Sequence, residues 1–315
     1  MLEYIDKIKK LSEKLLTDGK VDMIIGFKKG TMPMINEPCI VKSPSDVNNL
    51  VWDSLCAINL ANYLTDRKEK IGIIAKGCDS RNIVNHIIEN KIKREQLTII
   101  GVPCKGMIDR KKISSMFDQE ITEVSEKSGQ IIVKGDNFEE TLNKQDLLSE
   151  NCSVCVHRNP VIYDELAAEL VEEQKDIDTY KAVNKIEAMD SEEKRSYFED
   201  LLSGCIRCYA CRNACPLCYC PTCFVDESRP QWVGKSQNPT DIETFHFLRA
   251  YHCAGRCTDC GSCVQACPMG IDVRAFTKKL EKDCFNLYGW EAGLSVDQPP
   301  PLSTFRPDDP EDFIK

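Results

Sequence analysis

The chain has 315 residues, 42% of them hydrophobic, with 19 cysteines, a length that suggests two domains with ordinary apolar cores. A formal charge of -9 argues against a nucleic-acid surface, which must neutralise phosphates with Lys and Arg, and favours a basic face on a protein partner. No stretch has the length of a membrane span, and the opening MLEYIDKIKKLSEKLL carries charges where a secretory signal would be apolar. The expectation is a cytoplasmic protein, in which so many reduced thiols point to metal ligation rather than disulfides.

In chain order, Leu2, Ile5, Ile8, Leu11, Leu15 and Leu16 fall close to helical spacing and predict a helix over 2–18. Residues 21–27 read as a short buried strand. A turn-rich stretch with Gly30, Pro33, Pro38 and Pro44 leads to a predicted helix over 45–64, started by Ser45 or Asp46. A strand over 71–75, a loop from Lys76 to Arg81, a helix to about 92 and a strand over 97–102 then form a βαβ unit. Its right-handed crossover makes the strands parallel, so both loops leave from one sheet edge, where α/β proteins place ligands. Residues 1–160 are therefore expected to form an α/β domain. Residues 161–203 read as a helical connector with a solvated charged face, carrying apolar positions at Leu166, Leu170, Ile177, Ile186, Met189, Phe198 and Leu201. Helices are also predicted over 240–252 and 271–284, and 291–315 reads as an extended, Pro-rich tail that lies on a partner.

Two copies of one phrase dominate 204–290: Cys205-x2-Cys208-x2-Cys211-x3-Cys215-Pro216 and Cys257-x2-Cys260-x2-Cys263-x3-Cys267-Pro268. This is the ligand run of paired [4Fe-4S] cubanes, in which three thiolates wrap one cluster and the fourth reaches its neighbour. The pattern assigns Cys205, Cys208, Cys211 and Cys267 to cluster 1, and Cys257, Cys260, Cys263 and Cys215 to cluster 2. Zinc motifs use two pairs of cysteines and fit this run poorly. The 42 positions from Cys215 to Cys257 (257 minus 215) exceed what a compact ferredoxin needs, so an α-helical dicluster ferredoxin domain is expected. Exposed low-potential clusters of this kind favour an anaerobic host. The run from Cys257 to Asp272 resembles the dicluster domain of heterodisulfide reductase C subunits and of the iron-sulfur subunits of succinate dehydrogenase, which implies wiring between partner redox centres.

A second set of cysteines lies upstream. Cys78 follows the first strand of the βαβ unit, Cys104 follows the second, and Cys152-x2-Cys155 sits in a later loop. The four suit a third [4Fe-4S] cluster or a zinc site, while Cys78 and Cys104 also read as small buried hydrophobes. Gly77, Asp79, Ser80 and Arg81 at a helix start offer backbone N–H groups and a guanidinium, which suit either an FAD phosphate or support for ligating thiolates. No G-x-G-x-x-G run occurs to decide between them. Cys218, Cys220 and Cys223, with Cys253 or Cys284, form a candidate extra metal site or a set of packed thiols. Cys39 and Cys56 read as structural. His157, two residues after Cys155, is a candidate hydrogen-bond donor to a cluster sulfur or a replacement ligand, against a plain surface or capping histidine.

Family resemblance adds to this. The runs from Ile73 to Arg81 and from Ile99 to Gly106, followed by Cys152-x2-Cys155, resemble the coenzyme F420 hydrogenase/dehydrogenase beta subunit family, formate dehydrogenase beta subunits included. The resemblance covers roughly residues 20–160. It implies a module that holds FAD and an iron-sulfur cluster and exchanges electrons with a deazaflavin, a partner enzyme or a ferredoxin. The chain departs from the family in lacking its N-terminal ferredoxin-like cysteine run and in carrying a dicluster domain at the other end. The combined expectation is an iron-sulfur electron-transfer subunit of an anaerobic oxidoreductase complex. Its partner would be a hydrogenase, a formate dehydrogenase or a heterodisulfide-reductase-like enzyme, and no nucleophile and base arrangement marks a catalytic site. The alternatives are an FAD-containing subunit exchanging hydride with F420 or NAD(P)H, and a metal-dependent structural or sensor protein.

Overall fold

The protein is described by a computed structural model over residues 2–298 and 300–301. Its amphipathic first helix, α1 (Leu2–Thr17), packs Ile8 and Leu15 into the main core. That core is built on a sheet of strand order β2 (Asn36–Val41), β1 (Met23–Lys29), β4 (Ile71–Ala75), β5 (Leu97–Gly101) and β9 (Glu165–Leu166), with β3 (Leu50–Val51) also paired to β1. β1, β4, β5 and β9 run parallel; β2 and β3 run antiparallel to β1. The expected βαβ unit is present, with Ile71 opposite Leu97 and Ala75 opposite Gly101, and α2 (Gly77–Ile88) crossing between the strands. Ile71, Ile73, Ile74, Ile99 and Ile100 expose no surface. Near-continuous apolar strands of this kind are what a parallel sheet covered on both faces requires, each side chain contributing about 1.5–3 kcal/mol by burial.

Three sequence expectations are corrected. The helix over 45–64 does not form: a 3-10 turn (Pro44–Asn49), β3 and a second 3-10 turn (Leu60–Tyr63) take its place. Asp53 accepts the Leu55 amide at 2.8 Å and Asn59 accepts the Ala61 amide at 3.0 Å, local bonds that compete with a helix, while Leu50 and Val51 gain ladder partners on β1. The turn-rich stretch before it holds β2, where Pro38 faces Phe27 on an edge strand that tolerates a missing N–H. In the connector only α5 (Lys181–Ala188) and α6 (Ser191–Ser203) are helical. Leu166 lies in β9, and Leu170 and Ile177 lie in irregular chain, because Asp164 accepts the Ile99 amide at 2.7 Å and draws this segment onto the sheet edge.

Residues 110–143, which the sequence reading leaves unassigned, form α3 (Arg110–Ser114) and a separate antiparallel sheet of β6 (Ile121–Lys127), β7 (Gln130–Gly135) and β8 (Phe138–Asn143). Ile113, Ile131 and Val133 bury its inner face. After a one-turn helix, α4 (Glu150–Ser153), and β9, the described chain has no further strand. Helices α7 (Ala210–Asn213), α8 (Pro239–His252), α9 (Ser262–Gln265) and α10 (Arg274–Tyr288) make up the C-terminal region, packed with α6 around Phe245, Ile271 and Val273. This is the α-helical arrangement expected for that region.

The two regions meet on α2, which is buried on nearly every side although Asp79, Ser80, Arg81, Asn82, Asn85 and His86 are polar. Three of these side chains find a partner across the junction, although Asn82 Oδ1, Asn85 Oδ1 and His86 Nδ1 stay unpaired. Asn82 donates to Thr258 Oγ1 at 2.7 Å and Asn85 to the Arg256 carbonyl at 2.7 Å, and His86 Nε2 lies 2.7 Å from the Pro216 carbonyl. Arg81 Nε donates to the Ala292 carbonyl at 2.9 Å, so residues 291–292 of the expected tail lie on this same helix. Position 299 and residues 302–315 of that tail lie outside the described residues.

Candidate iron-sulfur centres

The two cysteine runs are related by a constant offset of 52 positions (257 minus 205), and the backbone repeats with them. Arg207 and Asp259 have φ of 51° and 53°, Tyr209 and Gly261 have φ of 61° and 73°, and α7 and α9 begin at matching positions. Three of these four left-handed residues are not glycine, a conformation disfavoured by the Cβ and retained where the surroundings over-determine it. Each loop thereby projects its cysteines toward one centre. Cys205, Cys208, Cys211 and Cys267 line one cavity; Cys215, Cys257, Cys260 and Cys263 line another.

The first cavity opens to the surface. Cys208 is exposed, and its neighbours Ile206 and Met269 are 46% and 49% exposed. The Ile271 amide donates to Cys267 Sγ at 3.4 Å, and His246 Nε2 lies 3.4 Å from Cys205 Sγ. Sequence reasoning missed His246, whose position in α8 puts it one turn from nothing recognisable as a motif. Burial, with Arg249 and Arg207 nearby, lowers its pKa to about 4, so the ring is neutral.

The second cavity is more enclosed only in that none of its thiols is exposed: Cys215, Cys257, Cys260 and Cys263 are all half-buried. Burial raises the thiols of Cys260 and Cys263 to about 12 and that of Cys257 further, so a bound cation is what would make thiolates of them. Asp259, in the same loop, is buried against Arg274 at 2.6 Å and Lys278 at 3.2 Å. Its desolvation is outweighed by these two cations, which lower its pKa to about 2.

The upstream cysteines form a third group. The loops after β4 and β5 leave from one sheet edge and carry Cys78 and Cys104 into a cavity that Cys152 and Cys155 also line. Gly106 donates its amide to Cys104 Sγ at 3.3 Å. Burial raises all four thiols, Cys152 to about 12 and Cys155 to about 11. Lys76 was not anticipated: it lines the cavity at 1% exposure, pairs with Asp79 at 2.9 Å and lies 5.1 Å from the Phe27 ring centroid. Burial opposes its charge, but Asp79, Cys78 and Cys104 together raise its pKa. Of the loop residues singled out from sequence, Gly77 and Arg81 line this cavity. Asp79 instead accepts the Lys76 and Leu60 amides at 2.9 and 3.1 Å, and Ser80 donates to the Gly77 carbonyl at 2.8 Å. His157 lines the cavity too and bonds Glu291 at 2.5 Å.

Thr258, Asp259 and Cys260 line both this cavity and the enclosed one. Of the remaining thiols, Cys218 and Cys253 lie close to Cys215, whereas Cys220 is exposed and Cys223 packs against the helical core. No described helix is long and apolar enough to cross a membrane.

Residues 221–289 match the family described as a 4Fe-4S dicluster domain. The chain is 25% identical to a protein named F420-dependent formate dehydrogenase subunit beta from Methanocaldococcus jannaschii, over 91% of this chain and 91% of that one. It is 26% identical to F420-dependent formate dehydrogenase 1 subunit beta from Methanococcus maripaludis, over 93% of this chain and 91% of that one. These findings agree with both resemblances read from the cysteine runs. Among solved structures, a chain from the F420-reducing [NiFe] hydrogenase complex of Methanosarcina barkeri aligns at 14% identity with a TM-score of 0.39, covering 50% of this chain and 62% of that one.

Proposed function

We propose that this chain is the iron-sulfur electron-transfer subunit of an oxidoreductase complex, relaying electrons between a catalytic partner and a ferredoxin, flavin or deazaflavin. The partner is an oxidoreductase catalytic subunit, and the beta-subunit relatives suggest one of the formate dehydrogenase class. One observation carries the reading: three cavities each gather a set of four candidate ligand cysteines, and two of the cavities share the wall Thr258–Cys260. [4Fe-4S] clusters supply one-electron storage when bound, and ordinary ferredoxin centres lie near about -400 mV. Cys205, Cys208, Cys211 and Cys267 would hold one, Cys257, Cys260, Cys263 and Cys215 a second, and Cys78, Cys104, Cys152 and Cys155 a third. The donor sets fit. All are thiols, amides of Gly106 and Ile271 already point at sulfur, and the buried cations Lys76 and Arg249 stand where thiolate charge would accumulate. Residues 1–160 then form the module of the third site and 204–290 the dicluster domain.

The βα loop at Gly77 favours thiolate support over an FAD phosphate. A Cβ at Gly77 would overlap the His157 carbonyl oxygen and come within 3.0 Å of the Asn159 carbonyl oxygen. Carbonyl oxygens repel phosphate, and Asp79 and Ser80 are committed to the local backbone. The test is metal and flavin content of the anaerobically purified chain. About twelve irons and twelve sulfides without flavin are expected, given four irons per cubane. About eight irons would remove the third site, and stoichiometric FAD reduced by F420 or NAD(P)H would replace the relay with hydride exchange on this chain. Clusters whose reduction drives no turnover in any partner complex would instead make the protein a structural or sensor element.

A further inference from the structure

The two repeated runs leave Cys218 and Cys253 without a role, although the fold brings both to Cys215. Cys218 closes a turn on the Cys215 carbonyl at 3.0 Å, and Cys253 ends α8 with its amide on the Ala250 carbonyl at 2.9 Å. The three sulfurs lie within 4.8 Å of one another, and among the described residues no other three Cys, His, Asp or Glu side chains form so tight a group. From a zinc–thiolate bond of about 2.3 Å, two sulfurs on one tetrahedral ion stand about 3.8 Å apart. Ligands of a cubane sit on separate irons and stand further apart. The trio therefore has single-ion spacing, and neither of the two motif-derived sets does.

Charge gives a second, independent indication. Arg249 is 4% exposed, forms no ion pair with a carboxylate among the described residues, and leaves its Nε without a partner. Its one hydrogen bond shown here runs from Nη2 to the Cys211 carbonyl at 3.1 Å. The groups facing it are Cys215, Cys263, Cys253 and Cys211. A buried guanidinium without a carboxylate is costly unless anions surround it, and metal-bound thiolates are the anions this pocket can provide.

We propose that Cys215, Cys218 and Cys253 hold a single thiophilic divalent ion, zinc or ferrous iron, beside the enclosed cavity. Three thiolates on such an ion carry one net negative charge, which Arg249 balances. Cys215 also lines the cavity with Cys257, Cys260 and Cys263, so its sulfur would bridge the ion and the neighbouring cluster. That bridging role rests on the cluster reading; the three-thiol site itself does not. The ligand set also revises the one suggested by sequence proximity: Cys220 and Cys223 are outside it.

The experiment measures zinc, iron and acid-labile sulfide per chain in the anaerobically purified full-length protein and in its Cys218→Ser, Cys253→Ser and Cys220→Ser variants. A cubane holds iron and sulfide in equal number. The extra ion therefore appears either as one zinc per chain or as one iron in excess of sulfide. Cys218→Ser and Cys253→Ser should each remove that ion and leave iron and sulfide equal, while Cys220→Ser keeps it. Equal iron and sulfide with no zinc in the wild-type protein would overturn the proposal, as would an extra ion surviving both substitutions. Should either variant fail to fold, the wild-type ratio alone decides. Absence of sulfide would sink the cluster reading instead, leaving this site to be judged by its zinc or iron.

Discussion

The two cysteine repeats share ligand spacing, left-handed turns and helix starts, yet the first presents an exposed thiol, Cys208, and the second presents none. The difference lies in the residues between the ligands. Where the second repeat has Arg256, Thr258 and Ser262, the first has Gly204, Ile206 and Ala210 at the same offset. The Arg256 carbonyl and Thr258 hydroxyl accept hydrogen bonds from Asn85 and Asn82, and Ser262 Oγ accepts the Asn59 amide at 2.8 Å. Arg256 also bonds Glu89 and Tyr219. Gly204, Ile206 and Ala210 offer no side-chain donor or acceptor, and contacts to the first repeat run instead to backbone carbonyls at its end, where Asn62 donates to Asn213 at 2.9 Å and His86 lies 2.7 Å from Pro216. Ligand geometry is thus a local property, whereas burial, which tunes cluster potential and access, is set by the neighbouring domain.

Ligand removal should break this comparison most severely. Cys208→Ser and Cys260→Ser are each expected to lower iron content by about four per chain and to stop electron flow to a partner, read by iron analysis and partner-linked dye reduction. Flow that survives either change would refute the relay. Next in size, Asp259→Asn removes the carboxylate shared by Arg274 and Lys278, which retain Asp272 and Glu281, and should destabilise the protein by about 1.5–3 kcal/mol in chemical denaturation. The matching substitution in the first repeat, Arg207→Gln, should cost less, because its carboxylate neighbour Asp241 is 3.9 Å away and partly exposed.

Gly77→Ala pushes a Cβ into the backbone of the loop that carries Cys155. A loss of about 1–3 kcal/mol is expected from overpacking, with the third group of four irons lost selectively while the other eight remain. Uniform retention of iron would show that the loop can move aside. Exposure makes a subtler prediction: under a chelator or limited oxygen, the cluster held by Cys208 should disappear before the enclosed one, followed by electron paramagnetic resonance. The smallest effect is expected from His246→Ala. With the ring proton on Nε2, the tautomer that a ligating thiolate would select, the substitution removes an N–H donor from Cys205 sulfur, so the potential of that centre should fall by on the order of 50 mV, the equivalent of one net hydrogen bond of about 1 kcal/mol.

Much of this was legible in the chain itself. Eight cysteines repeat at fixed spacing because three corners of a cubane must be reached from one loop, and the isoleucine-rich strands Ile71–Ala75 and Leu97–Gly101 declare a buried parallel pair. The proximity of Cys78 to Cys104 followed from the crossover rule. The strand Asn36–Val41 was hidden by Pro38, which is harmless only because the strand lies at an edge, a fact of tertiary order. The missing helix over 45–64 likewise reflects pairing with β1, decided by residues distant in sequence.

What the sequence determined by itself is the local chemistry: which residues can ligate metal and which loops present them, since spacing and turn conformation act over a few residues. The tertiary structure alone decided which repeat is enclosed, why α2 is polar yet buried, and that Cys253 meets Cys215 and Cys218 across 38 positions (253 minus 215). Those outcomes depend on packing between segments well separated along the chain, and no local pattern encodes a partner that a distant segment supplies.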